Sequence, residues 1–117
     1  MDISQLQHEI EAVSAFYAER HDITRTDDWF ILKLGEEVGE LTQAYLARAG
    51  QARDKGRTPA EREGDFRAEL SDVFAQVLLI AHRFDVDLED EVARKWLVWK
   101  PDQPEGDGPR PAHHPLR

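Results

Sequence analysis

Two short groups of acids stand out in the 117-residue chain. The first is Glu36-Glu37-x-x-Glu40, inside "LKLGEEVGEL" at 32–41, and the second is Glu69-x-x-Asp72, inside "AELSDVFAQVLLIAHRF" at 68–84. Acids are common on the wet face of a helix, but these lie in the two most apolar helical stretches of the chain. At about 100° per residue, Glu36, Glu37 and Glu40 occupy one arc of a helix flanked by Lys33, and Glu69, Asp72 and Gln76 occupy one stripe of another. If the two stripes face each other, five carboxylates converge in a partly enclosed space. Such a group must take up protons or be neutralised by cations. All-oxygen ligands suit a hard divalent ion, and Mg²⁺ is the natural one, with Mn²⁺ able to substitute. The competing reading, a pair of solvated acidic faces, applies readily to either helix alone.

The elements that would hold these groups follow from periodicity. Ile3, Leu6, Ile10, Val13 and Tyr17 step by three and four, predicting an amphipathic helix over 2–20. Ile31, Leu34, Val38, Leu41 and Tyr45 predict a second, starting near a cap at Thr26 or Asp27 and stopped by Gly50. Thr58-Pro59-Ala60-Glu61 opens a third, running from about 60 to 84. On it Phe66, Leu70, Val73, Val77, Ala81 and Phe84 form an aliphatic side separate from the acidic one. "DVDLEDEV" opens a fourth helix reaching about Trp99. Gly35, Gly39 and Thr42 make a strip on which another helix could approach closely. No segment alternates as a strand would, so the expected class is all-α. The domain spans 1–100, and the segment from Pro101 onward, with five prolines and two glycines, reads as a tail over 101–117. Its His113-His114 pair reads as solvated.

Composition narrows the partners. The net charge of −9 speaks against a nucleic-acid polymer, although a metal ion can stand between acids and a polyphosphate. There is no cysteine, which removes disulfides and thiolate metal sites. The N-terminus lacks the basic flank and apolar run of a signal peptide, and the longest apolar run, at 73–81, is too short to span a bilayer. The expectation is a cytoplasmic protein with no membrane partner. No Glu is followed three residues on by His, which argues against the di-iron carboxylate bundles.

The two acidic motifs at this spacing, with "LKLGEEVGEL" and "ELSDVFAQVLLIA" around them, resemble the MazG-like all-α nucleoside triphosphate pyrophosphohydrolases. The resemblance covers about residues 5–95. It implies a four-helix MazG-like bundle, oligomeric as a homodimer or a dimer of dimers, that hydrolyses (d)NTP to (d)NMP and pyrophosphate with Mg²⁺. By position it implies Glu37, Glu40, Glu69 and Asp72 as metal ligands, with Glu36 at a more variable acidic place. Lys95 matches a lysine of the family's C-terminal segment, whereas "WLVWKP" lacks the asparagine found there.

Phosphoanhydride hydrolysis fits these residues, with Glu36 or Glu37 to orient or deprotonate the attacking water. Lys33 could contact phosphate or simply pair with Glu37 at i, i+4. Trp29 could stack on a base or pack in the core. Gln76, on the stripe of Glu69 and Asp72, completes the substrate-side candidates. Arg48, Arg53, Lys55, Arg57, Arg62 and Arg67 crowd twenty positions and could collect a triphosphate or be ordinary loop charge. Two other functions stay open: a catalytically silent helical dimer that binds nucleotide or protein, and a phosphoribosyl-ATP pyrophosphohydrolase. Aromatic residues at Trp96 and Trp99, on so small a unit, also point to a homodimer.

Overall fold

A computed structural model describes residues 1–53 and 55–101, so the tail beyond Pro101, with His113 and His114, lies outside the described residues. Four α-helices follow one another: α1 (Ile3–Arg20), α2 (Asp27–Arg48), α3 (Pro59–Arg83) and α4 (Leu88–Lys95), then a 3₁₀ turn at Leu97–Trp99. There is no strand among the described residues. The chain divides into two compact units, Met1–Phe84 and a second that begins at Asp85, within the span 1–100 expected as one domain. No helix among the described residues is long and apolar enough to cross a membrane.

Each helix starts where a side chain can take up a free backbone N–H. Asp2 and Gln5 form a reciprocal capping box on α1, at 2.8 and 2.9 Å. Thr26 caps α2 by accepting from the Trp29 N–H at 3.1 Å, with Asp27 and Asp28 in the first turn complementing the helix dipole. Thr58 and Glu61 form a second capping box on α3, with Pro59 at the first helical position. At the end of α2, Gly50 takes φ 75°, which lets the Gln51 N–H reach back to the Leu46 carbonyl at 2.8 Å.

The fourth helix is shorter than the expected run to Trp99. Pro101 disfavours helical geometry at Lys100, which is extended at φ −58° and ψ 138°. The turns just before it tighten, and the Trp99 N–H donates to the Trp96 carbonyl rather than one residue further back.

In the first unit α2 packs along α3, and α1 lies against α3. Phe30 and Leu78 are the largest fully buried side chains, joined by Leu79, Ala81 and Ala18. Two guanidinium groups lie over the Phe30 ring, those of Arg25 at 5.2 Å and Arg83 at 5.3 Å from its centroid. Arg25 is itself held by a two-pronged pair with Glu11, at 2.6 and 3.1 Å. Two glutamines pin the helices together through backbone carbonyls. Gln7 Nε2 donates to Leu78 and Gln76 Nε2 donates to Phe30, both at 2.9 Å.

The aliphatic stripes are less covered than their periodicity predicts. Ile31, Val38 and Tyr45 on α2, Leu70 on α3 and Phe84 just past its end are all exposed, Ile31 and Leu70 by about half, as is Phe74 outside the expected stripe. The strip of small residues also differs from expectation. A side chain added at Gly35 or Gly39 would meet nothing within 4 Å, so no helix approaches it among the described residues.

Candidate functional site

Phe30 and Glu37, seven residues apart, share the buried face of α2, so one acid sits among apolar side chains. Glu37, on the second turn of the apolar stretch, is buried at 9% exposure, and Glu69 is half-buried opposite it. Glu40, one turn further along α2, is exposed. Carboxylate oxygens of Glu37, Glu40 and Glu69 lie within 4.8 Å of one another. At an effective dielectric near 20, two full charges at that spacing repel by about 3 kcal/mol, less where water reaches Glu40.

The repulsion shows in the acidities. Burial pushes the Glu37 carboxyl above its ordinary value; Glu40 and Asp72 add to the shift, while Lys33 opposes it. Glu69 is raised too, first by burial, then by Glu40, Asp72 and Glu37. Lys33 is the counter-charge at hand. Its Nζ lies 3.5 Å from Glu36 Oε2 and 3.6 Å from Glu37 Oε1. Burial alone would lower the lysine pKa, but the two glutamates outweigh it and hold the ammonium above the ordinary value.

One lysine leaves the site unsatisfied. Glu37 Oε2 and Glu69 Oε2 are both buried and accept no hydrogen bond. A buried carboxylate oxygen without a donor or cation is costly, so these two atoms mark where a positive charge belongs. A donor set made of carboxylate oxygens suits a hard divalent cation. The residues therefore fit Mg²⁺ or Mn²⁺.

The other sequence candidates fall into distinct places. Asp72 is outside the close trio, exposed, yet near enough to act electrostatically on both Glu37 and Glu69. Glu36 is exposed and tied to Lys33. Lys33 is thus engaged in the i, i+4 pair that was one of its two readings. Gln76 is 4% exposed, and its amide is committed to the Phe30 carbonyl. Trp29 is half-buried at the start of α2, edge-on to Phe30 with ring centroids 5.0 Å apart. Lys95 is the last residue of α4, in the second unit.

Beside the trio is a cavity of about 670 Å³ in which Glu36, Glu40 and Glu69 form one part of the lining. That volume is in the range of small-molecule sites. Its α2 wall is made of Gly39, Ala44 and Ala47, whose small side chains leave the room. Sequence reasoning missed this wall. Of its residues only Gly39 belonged to the expected strip of Gly35, Gly39 and Thr42; Ala44 and Ala47 were not singled out, although they share a face with Glu36 and Glu40. Arg53, Lys55, Arg57 and Arg62 line the rest.

Comparison of the chain with family models, with curated proteins and with solved structures finds no significant match.

Proposed function

We propose that this chain is a Mg²⁺- or Mn²⁺-dependent nucleoside triphosphate pyrophosphohydrolase, with Glu37, Glu40, Glu69 and Asp72 as the metal-holding acids. The observation that carries the reading is the pair of buried, unpartnered oxygens, Glu37 Oε2 and Glu69 Oε2, within a trio of converging carboxylates. When bound, the divalent ion would neutralise phosphate charge and polarise the phosphoanhydride. The cavity beside the trio is large enough for a nucleotide.

In this reading water attacks the α-phosphorus, the bond to the bridging oxygen breaks, and pyrophosphate leaves with the electron pair. A carboxylate takes the proton from the attacking water. Glu36 is better placed for that than Glu37, because it is exposed on the cavity lining while Glu37 is buried in the trio. Lys33 positions Glu36 and Glu37 together. Trp29 remains the candidate for a contact to the base.

We also propose that the working unit is a homodimer. The large apolar side chains left exposed on α2 and α3 support it, since covering them would remove apolar surface from water. The test of the function is pyrophosphate release from a panel of nucleoside triphosphates. Wild-type protein should release it with Mg²⁺ and not with chelator. A purified, folded protein that binds nucleotides but turns over none would instead favour a silent binding module.

A further inference from the structure

Six basic residues crowd positions 48–67, and the structure sorts them. Arg48 pairs with Glu63, Arg57 with Asp65 at 2.6 Å and with Glu61 at 3.4 Å, and Arg67 with Glu63 at 3.0 Å. Arg62 is half-buried and engaged as well. Arg53 and Lys55 differ: both are exposed, both line the cavity, and neither makes an ion pair or hydrogen bond with any described residue. They share that cavity with Glu36, Glu40 and Glu69, yet neither pairs with a described acid.

A cavity with two cations that no described residue engages in one part of its lining, and converging acids in another, suits a ligand of matching polarity. Its ligand should bring metal cations to the acids and phosphate oxygens to the basic loop. A short phosphate ester would satisfy the acidic side through the metal and leave the loop unused. A chain of three phosphates offers charge at both ends.

We propose that Arg53 and Lys55 are a polyphosphate grip, which selects metal-bound triphosphates over ligands with fewer phosphates. The proposal rests on the reading that the acidic trio holds a divalent ion. The backbone supports the grip at Lys55, which is held at φ 52° beside Gly56 at φ 78°. A lysine is an unfavourable residue for left-handed geometry, where glycine would be at ease.

The experiment measures binding to the full-length chain with inorganic tripolyphosphate, pyrophosphate and orthophosphate as probes, in Mg²⁺ and in chelator, alongside thermal melts with Mg²⁺ alone. The variants are Arg53→Ala/Lys55→Ala, Lys55→Gly, and Arg67→Ala as a surface control outside the cavity. In Mg²⁺, wild type should bind tripolyphosphate more tightly than pyrophosphate and orthophosphate. The double variant should lose about tenfold per residue for tripolyphosphate, on the scale of a solvent-reachable charge-assisted contact. Its orthophosphate binding and its Mg²⁺-induced rise in melting temperature should be unchanged. Lys55→Gly should melt no lower than wild type yet bind tripolyphosphate more weakly, which separates charge from fold. Arg67→Ala should behave as wild type.

A double variant that binds tripolyphosphate as wild type does, with its Mg²⁺ response intact, overturns the grip and leaves the metal site standing. If Mg²⁺ does not raise the wild-type melting temperature, the metal reading fails and takes this inference with it.

Discussion

Replacing Glu37 with Gln should reverse sign between two buffers. At pH 8 without divalent metal, Glu37 faces two repulsions of about 3 kcal/mol, from Glu40 and Glu69, and one attraction of about 4–5 kcal/mol, from Lys33 at 3.6 Å. The repulsions exceed the attraction by about 2 kcal/mol before screening, and by about 1 kcal/mol once the exposure of Glu40 is allowed for. Glu37→Gln keeps the shape and adds an amide donor beside the unpartnered oxygen of Glu69. It should therefore raise the melting temperature in chelator, by about 4–8 °C per kcal/mol for a unit of this size. Saturating Mg²⁺ should raise the wild type by about 2.7 kcal/mol at a hundredfold excess over its dissociation constant, and the variant by much less.

The pH dependence follows from the raised carboxyls of Glu37 and Glu69. A carboxyl raised in the folded state contributes stability that is fully present below its unfolded pKa, about 4.3 for Glu, and is lost as pH climbs through the folded value. The gap between wild type and Glu37→Gln in chelator should accordingly narrow as the pH is lowered towards 5. Circular-dichroism melts at both pH values, with and without Mg²⁺, read all of this. A variant that is less stable than wild type by the same margin in both buffers would show Glu37 to be a structural acid.

Glu40→Gln and Asp72→Asn should each lower pyrophosphate release at least a hundredfold while leaving the far-ultraviolet spectrum unchanged; wild-type turnover in either folded variant would remove that residue from the metal site. Gly39→Ala should stabilise the fold by up to about 1 kcal/mol, because the new methyl meets nothing within 4 Å and glycine weakens a helix interior. The same methyl enters the cavity, so KM for the triphosphate should rise, and an unchanged KM would show that substrate avoids the Gly39 wall. Light scattering at micromolar protein should return at least a dimer mass, and Val38→Glu with Leu70→Glu should shift it to the monomer if the exposed apolar side chains form the interface.

Helix starts at Thr26 and Thr58-Pro59 and the helix stop at Gly50 were legible because each carries its own chemistry. The convergence of five carboxylates expected from the sequence was legible only in part, since Glu37, Glu40 and Glu69 come together while Glu36 turns to Lys33 and Asp72 stays outside. What a helical wheel does not contain is the rotation of one helix against its neighbour. That rotation leaves Asp72 outside the close trio, exposes Leu70, and buries Gln76 against a carbonyl. Nor do loop residues state their partners. Six basic side chains looked alike in sequence, and only their pairing with Glu61, Glu63 and Asp65 separates Arg53 and Lys55 from Arg48, Arg57 and Arg67.

The bond from Gln76 to the Phe30 carbonyl works as an indexing pin. Gln76 lies seven residues beyond Glu69, almost two full turns, so the two share a face and the pin sets the phase at which Glu69 meets Glu37. One residue inserted between them would turn Glu69 about 100° away while the pin stayed engaged, whereas seven inserted residues would return it to within about 20°. The spacing from 69 to 76 is thus a gear ratio. Length changes on the far side of the pin, towards Phe84, leave that phase untouched and act instead on the core, by turning Leu78, Leu79 and Ala81 out of their packing.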